Sequence, residues 1–90
     1  MKHPRTGHSL CSLRDKFIVA TGSRIDDAEV ARSVEFFNIE LNTWFDQPSM
    51  NHGRYYHSTC TFANRWVYAF AGVCQKTKTY FNSIERFDSA

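Results

Sequence analysis

The sequence predicts an all-β fold built from four-stranded antiparallel sheets, the type of sheet that forms the blades of a β-propeller. A stretch of about fifty residues occurs twice, and each copy divides into short runs typical of strands. Composition agrees, since eight Phe, four Tyr and two Trp among 90 residues favour strands over helices. Because the copies amount to about two blades, we expect a partial propeller and not a closed one.

The repeat is clearest when RTGHSLC (residues 5–11) is written above RYYHSTC (residues 54–60). Arg, His, Ser and Cys coincide at an offset of 49 residues, and FIVATG (17–22) then lies over WVYAFA (66–71). SVEFFN (33–38) lies over SIERFD (83–88) at an offset of 50, which places one inserted residue in the intervening loop. Matching order and spacing make an accidental similarity implausible.

Each copy reads as a series of strands. In the second, we expect strands at 58–62, 66–71 and 83–88, with a tight turn at 63–65. The first shows the same three runs and adds a fourth around Trp44, after the turn-like NIELN at 38–42. We therefore assign residues 1–48 to a first blade and 49–90 to a second, incomplete blade that lacks its outer strand.

Both copies resemble the kelch repeat over nearly the whole chain. The matching positions are Gly22-Ser23, Glu35, Phe37-Asn38, Trp44, Pro48, Met50, Arg54, His57, Ala71-Gly72, Glu85 and Phe87-Asp88. Each diglycine of the family pattern keeps one glycine, and Phe replaces the usual Tyr before Asn38 and Asp88. The resemblance implies a propeller that binds other proteins as a scaffold or adaptor, in ubiquitin-ligase substrate recruitment or at the cytoskeleton. The copper constellation of the few kelch-like oxidases does not map onto these residues.

Composition and charge limit the kinds of partner and the cellular location that we expect. The net charge is +2 with the signs interleaved, which disfavours nucleic acid as a partner. No apolar run approaches the ~20 residues of a membrane span, and the first ten residues lack the apolar centre of a secretory signal. Three cysteines provide no disulfide framework. We expect a cytoplasmic protein, with association with the cytoskeleton as one setting.

His57, Ser58 and Cys60 raise the question of a reactive site with His57 as base. Their counterparts are His8, Ser9 and Cys11, and a catalytic site needs one copy whereas a packing position recurs. Zinc held by His52, His57 and Cys60, or by His3 and His8, matches no structural zinc spacing. We expect no catalytic residue, metal or cofactor. An enzyme with a copper-oxidase-like metal site, or a purely structural assembly piece, remains the alternative.

The recurring positions are interpreted as structural: Arg5, His8, Gly22, Glu35, Trp44, His57, Gly72 and Glu85. A buried carboxylate needs a partner, so Glu35 and Glu85 are expected to pair with Arg5 and Arg54, between adjacent blades. Trp66 opens an apolar run and is expected in the core.

Strand alternation places the longest loops, residues 23–32, 48–56 and 73–82, on one face of the propeller, here called the loop face. Candidate contacts to a partner protein lie there: Arg24, Asp26, Asp27, Arg54, Tyr55, Tyr56, Lys76, Lys78 and Tyr80. The last three residues also fit a merely solvated loop. Further blades, from this or another chain, are expected to complete the ring.

Overall fold

A computed structural model describes residues 2–24, 27–80 and 83–89, and all structural statements below concern these residues. The elements are β1 (Ser9–Leu13), β2 (Phe17–Thr21), α1 (Ala28–Arg32), β3 (Val34–Asn38), β4 (Thr43–Gln47), β5 (Arg54–Tyr55), β6 (Ser58–Phe62), β7 (Trp66–Phe70), β8 (Val73–Cys74) and β9 (Ile84–Asp88). The all-β fold predicted from the sequence is confirmed.

The first repeat forms a four-stranded antiparallel sheet in the order β1-β2-β3-β4. Its first hairpin turns at Arg14 and Asp15, both with positive φ, the conformation that suits a two-residue turn between twisted strands. The fourth strand around Trp44 pairs Phe37 with Trp44 and Phe36 with Phe45. This is the predicted blade, strand for strand.

The second repeat forms a three-stranded sheet in the order β6-β7-β9. Its hairpin turns at Ala63 and Asn64, again with positive φ. Within the part of the chain that the structure describes, no fourth strand pairs with β9. Both sheets thus follow one up-and-down plan, and the second presents β9 as an edge.

Three elements of the loop face were not predicted from the sequence. Asp27 caps α1 by accepting hydrogen bonds from the backbone N–H groups of Glu29 and Val30. The two-residue strands β5 and β8 pair with each other as a separate ladder. Elements this short carry no detectable hydrophobic period, which is why the sequence showed only loops here.

The hydrophobic core lies between the two sheets. It consists of Leu13, Val19, Val34, Phe36, Met50, Val67 and Ala69, with Cys11, Phe17 and Phe87 packed against it. The rings of Phe36 and Phe87 meet edge to face with centroids 5.6 Å apart. The innermost strands β1 and β6 also touch, since Ser9 Oγ lies 2.7 Å from Thr59 Oγ1. Each repeat therefore depends on the other to bury its apolar side chains.

Trp66 does not lie in the core, where the sequence analysis expects it. It is half-buried on the surface of the second sheet that points away from the core, between the guanidinium groups of Arg65 and Arg86, which lie 4.7 and 4.3 Å from its ring. The reason is strand alternation, because Val67 takes the inward position and its neighbour must point outward. No helix in the described residues is long and apolar enough to cross a membrane.

Candidate protein interface on the loop face

The loops of the loop face are bound to one another by backbone hydrogen bonds. Gln75 N donates to Gly53 O at 2.9 Å, and Met50 N donates to Arg32 O at 2.8 Å. Gly53 is where they meet, because a Cβ at that position would lie 2.9 Å from the Cβ of Ala31 and 3.1 Å from that of Gln75. These contacts bring α1, β5 and the segment after β8 together as one surface.

The arginine that precedes each sheet anchors a lead-in segment, defined as residues 2–8 in the first repeat and 51–57 in the second. Arg5 Nη2 lies 2.8 Å from Glu35 Oε2, with both side chains fully buried. Arg54 Nη2 lies 2.8 Å from Glu85 Oε2, and the Arg54 side chain is fully buried. Each carboxylate therefore fixes a lead-in segment to the third strand of its own sheet.

The two ion pairs are supported by equivalent backbone donors. Lys2 N donates to Glu35 Oε1 at 2.7 Å, and Asn51 N, one repeat later, donates to Glu85 Oε1. His52 N adds a third hydrogen bond to Glu85. The expected pairing of Glu35 and Glu85 with Arg5 and Arg54 is thus present. The expectation that it links adjacent blades is wrong, because the lead-in segment folds back onto its own sheet.

His57 links the two sheets and has no catalytic geometry. Its Nε2 lies 2.7 Å from Thr21 Oγ1, on β2 of the other sheet. Burial, and then the positive charges of Arg54, His8 and Arg5, lower the pKa of His57 to about 4. Ser58 and Cys60 are exposed. The imidazole is therefore a neutral structural group at the junction of the blades.

The remaining repeat positions have packing roles as well. Gly22 and Gly72 both have positive φ, and a Cβ at either would come within 2.7 Å of His57. The Trp44 ring packs against the Phe37 ring, with centroids 5.0 Å apart and the ring planes tilted by 49°. His8 is half-buried at the start of β1. These residues shape the scaffold on which the loop face is carried.

Two of the proposed contact residues are placed in the interior. Arg54 is fully buried in its ion pair, and Tyr55 is only 7% exposed because β5 pairs with β8. Asp26 lies outside the described residues. Asp27 caps α1 with its side chain. Burial removes Arg54 and Tyr55 from the residues that a partner could reach.

The exposed candidates are Arg24, Asp27, Tyr56, Lys76, Lys78 and Tyr80. Tyr80 is 85% exposed and Tyr56 is 61% exposed. Tyr80 forms a β-bridge with Val73, and Val73 pairs with Tyr55, the chain neighbour of Tyr56. The structure therefore places two solvent-facing tyrosines on backbone that is linked through Val73, and the exposed Lys76 and Lys78 lie in the segment after β8.

Gly7 positions Tyr56 and was not singled out from the sequence. Gly7 has a φ of +63°, and a Cβ there would lie 3.1 Å from the Tyr56 ring. Tyr56 N donates to Gly7 O at 2.7 Å, and the Tyr56 ring meets that of Tyr55 edge to face. The repeat alignment does connect these two positions, because Gly7 is the counterpart of Tyr56 at the offset of 49 residues.

Three further features of the described residues bear on other chemistry: a cleft, the scope for metal coordination, and the cysteines. A cleft of about 360 Å³ opens between the sheets near Met50 and Phe87. Of its two carboxylates, Glu85 already accepts hydrogen bonds from Arg54 and two backbone N–H groups, and Asp88 accepts hydrogen bonds from Arg65. No group of three His, Cys, Asp or Glu side chains is placed to hold a metal ion there or elsewhere in these residues. The Thr77 hydroxyl lowers the pKa of Cys74 on the loop face, whereas burial raises that of Cys11.

Comparison with known proteins gives relatives of one kind. Kelch-like protein 24a of Danio rerio is 32% identical over 87 residues, which cover 93% of this chain and 13% of that protein. Kelch-like protein 24 of Homo sapiens and its Rattus norvegicus counterpart are each 29% identical over 85 residues, again spanning 13% of their length. No family model matches the chain. Together with the repeated sheets and their arginine-anchored lead-in segments, these similarities show that the chain belongs to the kelch-repeat family.

Proposed function

We propose that the chain is a non-catalytic protein-interaction module that binds another protein through its loop face. The family and the all-β repeat architecture support an interaction role. Five recurrent residues are engaged in ion pairs or in the contact between the sheets: Arg5, Glu35, Arg54, Glu85 and His57. The exposed residues of the loop face are the candidates for recognition that this leaves.

One observation carries the proposal: Tyr56 and Tyr80 are exposed on backbone that is held in place. Tyr80 bridges to Val73, and Tyr56 is bonded to Gly7. Tyrosine contributes a large, partly apolar contact area at a low entropic cost, and it is enriched among residues that dominate binding energy. Arg24 and Lys76 are also exposed and add positive charge to the loops of this face.

In the whole protein, we place this surface in a cytoplasmic scaffold or adaptor. Substrate recruitment to a ubiquitin ligase and binding to the cytoskeleton are the two roles that the kelch resemblance suggests. Either role uses the same physical device, a rigid propeller whose variable loops select the partner. A metal-dependent enzyme and a purely structural piece are the competing functions.

The test is capture of binding proteins from cytoplasmic extract, with Tyr56→Ala/Tyr80→Ala compared against the original chain. We expect loss of at least one reproducibly captured protein, which is retained by Leu41→Ala. Leu41 is 62% exposed in the β3–β4 turn, away from the loop face, and serves as the matched control. Identical captured proteins for all three chains would contradict the proposal.

A further inference from the structure

Tyr56 has the left-handed backbone conformation, which suits glycine and few other residues. Its φ is +52°, and its counterpart in the first repeat is Gly7, with a φ of +63°. In this conformation a side chain brings its Cβ close to the backbone, at a cost in free energy that glycine avoids. A tyrosine therefore stands at a position where the backbone favours glycine.

The other non-glycine residues with positive φ are explained by their places in the fold. Left-handed residues are usual in the turns between paired strands. Six of them lie in such turns: Arg14, Asp15, Asn42, Ala63, Asn64 and Lys78. Ala71 is the counterpart of Gly22 and has a small side chain. Among the described residues, Tyr56 is the one aromatic residue in this conformation.

The residues on either side of Tyr56 hold it in this conformation. Tyr55 lies in β5, and His57 Nε2 lies 2.7 Å from Thr21 Oγ1 on the other sheet. Both neighbours are only 7% exposed. Tyr56 N also donates to Gly7 O at 2.7 Å. An unfavourable conformation persists where the surroundings fix it in this way, and such residues are concentrated at functional sites.

The Tyr56 side chain lies mostly outside the fold. It is 61% exposed, although its ring meets the Tyr55 ring edge to face with centroids 5.1 Å apart. The ring also lies against Gly7, where an added Cβ would come within 3.1 Å of it. The first repeat builds its own lead-in segment with a glycine at this position. The fold therefore does not require the ring, which is open to contact with another molecule.

We propose that Tyr56 determines which partner the loop face accepts, by packing its ring against an apolar side chain of the partner protein. The inference rests on the proposed function, since it concerns the same surface. The ring packs on Tyr55 and Gly7, which carry no charge, so burial there favours an apolar group. A tyrosine on fixed backbone loses little entropy on binding. Glycine thus suits the fold at this position, whereas the aromatic ring suits the partner.

The first experiment measures stability in urea for Tyr56→Gly. We expect its midpoint to equal or exceed that of the original chain, because glycine relieves the unfavourable conformation. Ala71→Gly is the matched control, since Ala71 is exposed and has a φ of +61°, and its midpoint should not fall either. A clearly lower midpoint for Tyr56→Gly would show that the fold needs the ring and would overturn the proposal.

The second experiment measures binding with random peptides displayed on phage and selected on the immobilised original chain. The selected peptides are synthesised with a fluorescent label, and their affinities are measured by fluorescence anisotropy. We expect Tyr56→Gly to bind them about tenfold more weakly or worse, as for a residue that dominates an interface. Ala71→Gly and Tyr56→Phe should bind within about twofold of the original chain, because both keep the aromatic ring at position 56. Replacing the peptide's apolar residue by alanine should weaken binding as much as Tyr56→Gly does.

The outcomes separate this inference from the proposed function. Tyr56→Asn repeats the test with a side chain that tolerates the left-handed conformation, and it should lose binding as Tyr56→Gly does. Peptides that depend on Tyr80 but bind Tyr56→Gly as tightly as the original chain would leave the loop face as the interface and overturn the role of Tyr56. A selection without any peptide that depends on Tyr56 or Tyr80 would contradict both proposals.

Discussion

At the scale of single residues, the buried Arg–Glu pairs hold each lead-in segment against its own sheet. Glu35 is completely buried, so its carboxylate oxygens need hydrogen-bond donors around them. Arg5 and the backbone of Lys2 supply them, and Arg54 and Asn51 do the same for Glu85. Such a pair need not add net stability over an apolar pair. Breaking it is costly, however, because a lone charge is left inside.

The first prediction concerns Arg54→Lys, which keeps the charge but loses the planar donor set. Arg54 donates to Ser83 O at 3.0 Å, to Ser83 Oγ at 3.0 Å and to Glu85 Oε2 at 2.8 Å, and one ammonium group cannot reach all three. We expect the free energy of unfolding to fall by about 2–3 kcal/mol, as measured by urea denaturation. The control Arg32→Lys alters an exposed pair and should cost at most about 0.5 kcal/mol. Equal effects at the two sites would contradict the anchoring role of Arg54.

The second prediction is a loss of stability in mild acid caused by His57. In the folded chain its pKa is lowered to about 4 from 6.5, chiefly by burial. The unfolded chain therefore binds the proton more readily, and the contribution of His57 is complete above pH 6.5, declines as pH falls towards 4, and is absent below that. It amounts to at most about 3 kcal/mol.

The measurement is the urea midpoint between pH 7 and pH 4 for the original chain, for His57→Gln and for His52→Gln. His52 is an exposed histidine and serves as the control. The slope with pH should flatten in His57→Gln and persist in His52→Gln. A slope that survives the loss of His57 would assign the acid sensitivity to other groups.

At the scale of elements, the strands that occur in both repeats are the ones that the sequence predicted well. The bounds of β6 came out as expected, and the runs that became β2, β3, β7 and β9 are confirmed to within a residue at each end. The repeat made this possible, because two copies with matching runs remove the ambiguity of a single short apolar stretch. The alignment also pairs residues with the same backbone conformation. Ala71 has a positive φ, as does Gly22, its counterpart in the first repeat.

What differs between the copies was harder to predict. Among the described residues, the helix α1 occurs in one loop only. Asp27, a predicted surface contact, is exposed and also serves as the N-cap of this helix. The sequence predicts Arg54 and Tyr55 at the surface because they lie in one of the long loops that strand alternation assigns to the loop face. Their burial depends on the long-range pairs Arg54–Glu85 and Tyr55–Val73, which no local pattern encodes. The exposure of Tyr56 depends equally on a distant residue, Gly7.

At the scale of the whole molecule, neither sheet has a core of its own. Every large buried apolar side chain between them faces the other repeat, and the core cluster draws on both sheets. A single two-layer core of this kind is expected to unfold as one cooperative unit. The elements α1, β5 and β8 of the loop face are held by segments from both repeats. We therefore expect the loop face to be ordered only while the two sheets are in contact.

The last prediction tests this coupling with the two tryptophans, since Trp44 lies in the first sheet and Trp66 in the second. In Trp66→Phe and Trp44→Phe, the remaining fluorophore reports one sheet, and at equal protein concentration we expect each variant's fluorescence midpoint in urea to coincide with its own circular-dichroism midpoint. Adding Phe36→Ala, which removes a 6% exposed ring from between the sheets, should cost about 3–5 kcal/mol. Because Phe36 packs on Phe17 in its own sheet and on Phe87 in the other, both reporters should shift together. A shift seen by Trp44 alone would mean that the sheets unfold independently and that the loop face is not held by the core between them.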